Sequence, residues 1–150
     1  MTNTATLTRP PRIGEVYHML FSGTGCEQKG WRPGVVFQNN TGNIHSPNII
    51  ALPLTSSLKH LHLPTHVLLD AKNTGLLRDS IVLCENPERI SKERLGKFIL
   101  TLSEEYMKKI AAASLIATSA ISFLDEDSLL TAWKLAIKAN SVCGLPQVSM

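Results

Sequence analysis

The feature that most constrains the fold is a change of pattern halfway along the chain. In the first half, short apolar runs of strand length alternate with clusters of glycine, proline, asparagine and serine, which favour turns. The apolar runs are residues 14–21, 34–38, 49–54, 65–69 and 81–84. Short strands at this spacing predict a small β-barrel or a curled sheet. Pro53 in the third run indicates an edge strand or a bulge, because proline cannot donate to the ladder.

Two segments between these runs have the composition of irregular structure. Residues 22–30 contain glycines at positions 23, 25 and 30, which predicts a loop. Residues 39–43 read Asn-Asn-Thr-Gly-Asn, which predicts a tight turn. The loop and the turn would separate the first three strands.

The second half of the chain has helical periodicity. Apolar residues recur at three- and four-residue steps from Met107 to Ile121, which predicts a helix over residues 104–121 with Thr101 or Ser103 as its N-cap. Residues 91–97 predict a short helix before it, and acidic residues 125–127 predict the start of a last helix. The expected buried stripe of that last helix consists of Leu129, Leu130, Trp133, Ala136 and Ile137. The predicted fold class is therefore α+β, a compact β-barrel followed by helices.

Composition narrows the functional classes. The hydrophobic content of 43% and the charged content of 18% are those of an ordinary globular domain rather than a disordered chain. A net charge of +3 permits a nucleic-acid partner without requiring one. Three widely spaced cysteines exclude a disulfide framework and a Cys-x-x-Cys zinc pair, and Cys84 lies in an apolar run as a core residue would. With neither a membrane-spanning stretch nor a signal-peptide pattern, we expect a cytoplasmic protein.

An ordered series of short motifs runs through the first two thirds of the chain. It begins with Gly-Glu-Val-Tyr at 14–17, Gly-Cys-Glu-Gln at 25–28, Arg-Pro at 32–33 and Val-Val-Phe-Gln-Asn at 35–39. It continues with Ala-Leu-Pro-Leu-Thr at 51–55, Leu-Pro-Thr-His-Val at 63–67, Leu-Arg-Asp-Ser-Ile-Val-Leu-Cys-Glu at 77–85, Arg-Leu at 94–95 and Leu-Ser at 102–103. In order and separation, the series resembles the MazF/PemK toxin family over roughly residues 12–122.

The resemblance implies a fold, an activity and partners. It implies an SH3-like barrel with added helices, a homodimer, and an endoribonuclease that cuts single-stranded RNA without a metal and is neutralised by a cognate antitoxin. The implied organisation is a flexible N-terminus over residues 1–11, a toxin domain over residues 12–123, and a helical extension over residues 124–150. The extension would cover a hydrophobic patch, or else contribute to dimerisation or antitoxin contact.

The resemblance also implies the catalytic residues. Arg32 and Thr55 occupy the family's two catalytic positions. The guanidinium of Arg32 can hold two phosphate oxygens through paired N–H donors, and the hydroxyl of Thr55 can donate to a non-bridging phosphate oxygen. Glu27 is a candidate base or a carboxylate that orients Arg32, and Gln28 is a candidate RNA contact.

Further residues are implied to support RNA binding: His66, Ser80 and Asn86. The His66 imidazole could contact RNA or move a proton. His60 and His62 lie near His66 in the sequence, but no cysteine or acidic residue is spaced with them as a metal site would require. We therefore expect no metal and no other cofactor.

Two departures from the family pattern leave alternatives open. Cys26 stands where the family commonly has serine, and Glu88 stands where it usually has arginine. A carboxylate that faced RNA phosphates would weaken binding. The alternatives are a catalytically weakened RNA- or protein-binding module on the same fold, and a gyrase poison of the CcdB type, which shares the fold and acts through C-terminal helix residues.

Overall fold

An antiparallel sheet forms the centre of the molecule. The computed structural model of the protein describes residues 7–23 and 29–142. Within these ranges the sheet has seven strands, in the spatial order β4-β5-β3-β2-β1-β7 with β6 beside β3. The strands are β1 (Glu15–Ser22), β2 (Lys29–Val36), β3 (Asn48–Thr55), β4 (His66–Leu69), β5 (Ser80–Leu83), β6 (Glu88–Ser91) and β7 (Leu95–Thr101). The predicted α+β class is confirmed, with the barrel realised as an open, curled sheet that ends in β4 and β7.

Strand β3 is the point at which the sheet branches. One edge of β3 pairs with β2, and its other edge pairs first with β6, up to Ala51↔Glu88, and then with β5, from Leu54↔Val82. Pro53 lies where the partner changes, so its missing N–H interrupts no ladder there. The predicted edge position of Pro53 is therefore wrong, because β3 is an interior strand.

Both faces of the central strands are buried. Val16, Val35 and Leu52 belong to one apolar cluster, and their strand neighbours Val36 and Ala51 belong to another. Side chains alternate between the two faces of a strand, so β1, β2 and β3 each contribute to both clusters. The larger buried members of the second cluster are Met19, Phe21, Ile49, Ile90 and Leu95.

Four α-helices complete the described part of the chain: α1 (Asn40–His45), α2 (Ala71–Thr74), α3 (Glu104–Ala117) and α4 (Glu126–Val142). Ser103 caps α3 by accepting a hydrogen bond from the N–H of Tyr106 at 3.4 Å. Ile110 and Ala113 of α3 are buried in the first apolar cluster. The Tyr106 hydroxyl also donates to the Asp70 carboxylate at 2.7 Å, a bond that lowers the pKa of Asp70. Helix α3 is thus fixed to the sheet by apolar and polar contacts.

The helix predicted over residues 104–121 ends at Ala117 and is followed by a 3-10 helix at Ala120–Phe123. Two other segments differ more from their predicted conformations. Residues 39–43 form no tight turn: the Asn39 side chain accepts from the Gly42 N–H at 2.8 Å and caps helix α1. Residues 91–97 form no helix: after β6 they make a 3-10 turn at Lys92–Arg94 and enter β7. Pairing with β1 and complete burial of Leu95 outweigh the local helical tendency of this segment.

The predicted buried stripe of the last helix is also wrong. Helix α4 exists, but Leu129, Leu130 and Trp133 are 52%, 45% and 39% exposed. Ala136 is exposed and Ile137 is half-buried. Periodicity predicts which side chains share a helix face, but not whether another element covers that face. Among the described helices, none is long and apolar enough to cross a membrane.

Candidate active site

A cavity of about 700 Å³ opens where β2, β3 and β7 meet the turn before β5. Its lining comes from residues 32–33, 54–56, 75–78, 80 and 97–99. Three of the predicted site residues, Arg32, Thr55 and Ser80, lie in this lining. The fold therefore brings together side chains that are far apart in the sequence.

Arg32 enters the cavity from β2. It is half-buried and lies opposite Met19 of β1. Two residues further on, a Cβ added at Gly34 would lie 2.8 Å from both Met19 Sδ and Phe21 Cζ, so glycine permits the close approach of side chains from β1. The guanidinium of Arg32 is thus carried by a strand that is packed tightly against its neighbour.

Thr55 enters the cavity from the last position of β3. Its hydroxyl oxygen accepts a hydrogen bond from the Ser57 N–H at 3.2 Å. This bond orients the side chain and leaves the hydroxyl proton to donate to an acceptor. Strand β3 pairs with β2, which carries Arg32, and Thr55 lines the same cavity as Arg32.

Ser80 has a different environment from Thr55. It is 8% exposed, and its hydroxyl donates to the Arg78 carbonyl oxygen at 3.1 Å. The hydroxyl proton is therefore engaged within the protein, and only the oxygen lone pairs can serve a ligand. Ser80 fixes the turn that precedes β5 and carries Arg78 to the cavity.

His66 and Asn86 lie outside the cavity lining. The His66 side chain is 6% exposed, with Nδ1 at 2.8 Å from the His60 carbonyl oxygen and Nε2 at 2.7 Å from the Glu85 carboxylate. Both partners accept hydrogen bonds, so His66 links the crossover between β3 and β4 to the turn after β5. Asn86 is exposed in that turn, where its N–H donates to the Leu83 carbonyl oxygen at 3.2 Å.

Glu88 also lies away from the cavity. Its carboxylate accepts from the N–H and the hydroxyl of Ser22, at 3.0 and 2.7 Å, and lies 3.7 Å from the Arg94 guanidinium. These contacts tie the end of β1 to the start of β6. The remaining predicted residues, Glu27 and Gln28, lie outside the described residues together with the departure at Cys26.

The cavity contains two cations that the sequence did not single out. Arg78 and Lys97 line it together with Arg32, and none of the described lining residues is acidic. A concave surface with one sign of charge attracts a ligand of the opposite sign. Arg78 lies within the segment 77–85 that contributes to the family resemblance, but nothing in that segment marks it as a site residue. Lys97 lies in no motif.

Other reactive groups lie apart from this site. Burial raises the pKa of the Cys84 thiol to about 11, so this cysteine is a core residue with little thiolate at neutral pH. The rings of His60 and His62 lie 6.3 Å apart. Among residues 7–23 and 29–142, no group of three histidine, cysteine or acidic side chains is placed to hold a metal ion.

Comparison with known proteins gives one consistent result. Residues 12–117 match the family described as PemK-like, MazF-like toxin of type II toxin-antitoxin system. The chain is 41% identical over 111 residues to Endoribonuclease EndoA of Bacillus subtilis (strain 168), an alignment that covers 73% of this chain and 96% of the relative.

Solved structures agree with the sequence comparison. An endoribonuclease in complex with its cognate antitoxin from Mycobacterial species superposes with a TM-score of 0.60 at 27% identity, covering 73% of this chain and 95% of that one. MazF from Deinococcus radiodurans has the same fold, with a TM-score of 0.64 at 21% identity over 73% of this chain and 97% of that one. The chain therefore belongs to the PemK-like, MazF-like toxin family of type II toxin–antitoxin systems.

Proposed function

We propose that the protein is a toxin endoribonuclease that cuts single-stranded mRNA without a metal ion. One observation carries this proposal: Arg32 and Thr55, on neighbouring strands, line the same positively charged cavity. Family membership and the similarity to an endoribonuclease support it. Three cationic side chains in one cavity favour a polyanionic ligand. A single RNA strand, whose bases can be splayed out, enters such a cavity more easily than a base-paired duplex does.

The chemistry that we propose uses the RNA itself as the nucleophile. The ribose 2′-oxygen attacks the adjacent phosphorus, the bond from phosphorus to the 5′-oxygen breaks, and a proton passes to that leaving oxygen. The products are a 2′,3′-cyclic phosphate and a 5′-OH. Such a reaction needs a base, an acid, and stabilisation of the negative charge on the phosphorane oxygens.

Arg32 and Thr55 supply the charge stabilisation in this proposal. A guanidinium carries five N–H donors and no acceptor, so we assign Arg32 to the phosphorane oxygens rather than to proton abstraction. The Thr55 hydroxyl, oriented by the Ser57 N–H, donates to a non-bridging oxygen. Glu27 remains the candidate base.

The supporting residues receive different roles. Ser80 holds the turn that carries Arg78, and His66 holds the crossover that begins after Thr55. Gln28 and Asn86 remain candidate RNA contacts. The Glu88 carboxylate binds Ser22, away from the cavity lining. The alternative of a weakened binding module was based on Cys26 and Glu88, and the position of Glu88 no longer supports it.

Family membership supports the partners and the compartment that we propose. We propose a homodimer in the cytoplasm, held inactive by a cognate antitoxin, as the mycobacterial relative was solved with its own antitoxin. We also propose that residues 12–123 form the toxin domain and that residues 124–150 are an added helical segment. The family match ends before α4 begins, which supports this division.

The decisive experiment incubates purified, antitoxin-free protein with a long single-stranded RNA in EDTA and sequences the cut ends. We expect discrete cuts with cyclic phosphate and 5′-OH termini. Removing the cationic donor in Arg32→Ala should slow cleavage by about 10²–10³-fold. The exposed Arg12 lies outside the cavity lining, so Arg12→Ala is the matched control and should cut as the parent does.

The opposite result would contradict the proposal. Intact RNA after incubation with folded protein would exclude the ribonuclease, and equal loss in both arginine variants would remove Arg32 from the site. Stalled gyrase–DNA complexes formed by the same preparation would instead indicate a poison of the CcdB type.

A further inference from the structure

One wall of the cavity is not used by the proposed chemistry. The scissile phosphate needs Arg32 and Thr55, which enter from β2 and β3. The rest of the lining includes the turn before β5 and the exposed part of β7. We call this part of the lining the flank and define it by Leu77, Arg78, Lys97 and Phe98.

The two cations of the flank differ from the lysines on the exposed side of α3. Lys108 and Lys109 on α3 each lie within 4 Å of a glutamate one helical turn away, at 3.6 and 3.9 Å. Arg78 and Lys97 are exposed, and within the described residues neither forms an ion pair. Their charges are therefore available to an anion that enters the cavity.

The apolar members of the flank are exposed beside these cations. The Leu77 side chain is fully accessible, at 102% of its reference area, and Phe98 is 43% exposed. The Phe98 ring lies edge-to-face on Tyr17, with the ring centroids 5.5 Å apart and an interplanar angle of 73°. This contact holds the ring in one orientation, as a stacking platform for a planar group requires.

Cationic and apolar groups that line one cavity match the two parts of a nucleotide. A phosphate pairs with lysine and arginine, and a base stacks on an aromatic or aliphatic surface. The cavity volume of about 700 Å³ is within the range of sites that enclose a whole organic ligand, so it exceeds what one phosphate group occupies.

We propose that the flank binds the nucleotide next to the scissile phosphate. Arg78 and Lys97 bind the neighbouring phosphate, and Phe98 and Leu77 hold its base. The inference rests on the proposed ribonuclease function, which it deepens by assigning residues to a second nucleotide. It makes the flank a determinant of where the RNA is cut, since the base that stacks there is one that the enzyme can select.

The first test compares three variants that each remove one positive charge. Lys97→Ala and Arg78→Ala remove a flank cation, and Lys108→Ala removes an exposed cation on α3, outside the cavity lining. The substrate is an oligoribonucleotide that spans a cleavage site mapped with the parent protein. We expect kcat/KM to fall for the flank variants only. In a plot of log Kd against log salt concentration, the slope should decrease by about 0.7 for each phosphate contact that is lost.

The second test identifies the phosphate. Oligoribonucleotides carry one uncharged methylphosphonate at each phosphate in turn around the cut. When the methylphosphonate replaces the phosphate that the flank binds, the parent protein should lose activity. Lys97→Ala should lose little further activity with the same substrate, because the lysine–phosphate contact is already absent in this variant. Methylphosphonate effects equal in parent and variant at every position would overturn the assignment.

The third test addresses the base. Phe98→Ala should reduce kcat/KM about 5- to 100-fold, and Phe98→Tyr should restore it, because tyrosine keeps the stacking surface. An abasic nucleotide at the identified position should make parent and Phe98→Ala cleave at the same rate. Equal losses in Phe98→Ala and Phe98→Tyr, or a Phe98→Ala protein that elutes as a smaller assembly, would assign the ring to packing and overturn its role in binding.

The outcomes separate this inference from the function on which it rests. If the parent protein does not cut RNA, the proposed function fails. If the parent cuts, Arg32→Ala does not, and all flank variants match Lys108→Ala, the ribonuclease stands and the flank assignment alone is wrong.

Discussion

In the central strands β1, β2 and β3, most apolar side chains are buried on both faces of the sheet, whereas in α4 the apolar stripe remains exposed. Ile49 and Ile90 are completely buried between the sheet and its neighbours. Leu130 and Trp133, which share a face of α4, are 45% and 39% exposed, and this helix lies against α1. The two regions have equally regular apolar patterns. Burial therefore depends on whether the chain supplies a partner surface, and pattern alone does not decide it.

The largest effect is expected where the sheet is most completely covered. Ile90 of β6 is 0% exposed, so Ile90→Ala removes apolar contacts and leaves a cavity. We expect the free energy of unfolding to fall by about 2–5 kcal/mol in urea denaturation. A loss below about 1 kcal/mol would mean that β6 is not part of the core and would weaken the contrast with α4.

A buried carboxylate of the sheet gives the next effect. Glu15 is 2% exposed, and it accepts hydrogen bonds from the Arg9 guanidinium at 2.6 Å, the Arg12 N–H at 3.0 Å and the Tyr17 hydroxyl at 2.7 Å. Glu15→Gln removes the charge that strengthens these bonds. We expect a loss of about 1.5–3 kcal/mol at neutral pH, measured by the same denaturation.

The pH dependence of stability tests the same residue. Burial is the largest influence on Glu15 and by itself raises its pKa, but the bonds from Arg9, Arg12 and Tyr17 together hold the pKa below its ordinary value of 4.5. A lowered carboxylate pKa stabilises the folded state above 4.5, and this stabilisation is lost as the pH falls through the folded-state pKa. The parent should therefore lose stability more steeply than Glu15→Gln below pH 4.5. Parallel curves would contradict this.

The link made by His66 should have a smaller effect. His66→Ala removes both ring contacts of the crossover between β3 and β4, so we expect a loss of about 1–2 kcal/mol. His66→Gln can keep one of the two contacts and should recover part of the loss. If RNA cleavage falls while stability is unchanged, His66 has a direct role in the reaction instead.

The smallest effect is expected on α4. Leu130→Ala removes a side chain that is already 45% exposed, so stability should change by no more than about 0.5 kcal/mol. The measurement should be made at two protein concentrations. A loss above about 1.5 kcal/mol that depends on concentration would show that another chain covers α4 in solution, and the contrast with the sheet would disappear.

Strands could be predicted where the sequence of the segment itself has the apolar pattern of a strand. The apolar runs at 14–21 and 49–54 became β1 and β3 because both faces of these strands are buried. The segment 91–97 was not predictable, because its conformation depends on pairing between β7 and a strand some 80 residues earlier. Asn39 was recognised as a turn former, but the same side-chain hydrogen bond serves equally to start a helix.

The candidate site was predictable only in part, for the same reason. Arg32, Thr55 and Ser80 carry family motifs and do line one cavity. Lys97 reaches the cavity through the pairing of β7 with β1, and no local pattern reports that pairing. The motifs therefore identified Arg32 and Thr55, which are proposed to act on the scissile phosphate. The fold was needed to find Lys97, which is proposed to bind the neighbouring nucleotide.

The pairing of β1 with β7 has a consequence for synthesis of the protein. Its register joins Glu15 to Thr101, and the cavity lining extends from Arg32 to Ile99. A ribosome releases the chain from its N-terminus, so the edge of β1 stays unpaired until the seventh strand emerges. A chain whose translation stops earlier lacks one wall of the cavity. A cell that makes this toxin therefore obtains a complete site only from messages translated past β7, and fragments that end before β7 lack part of the cavity lining.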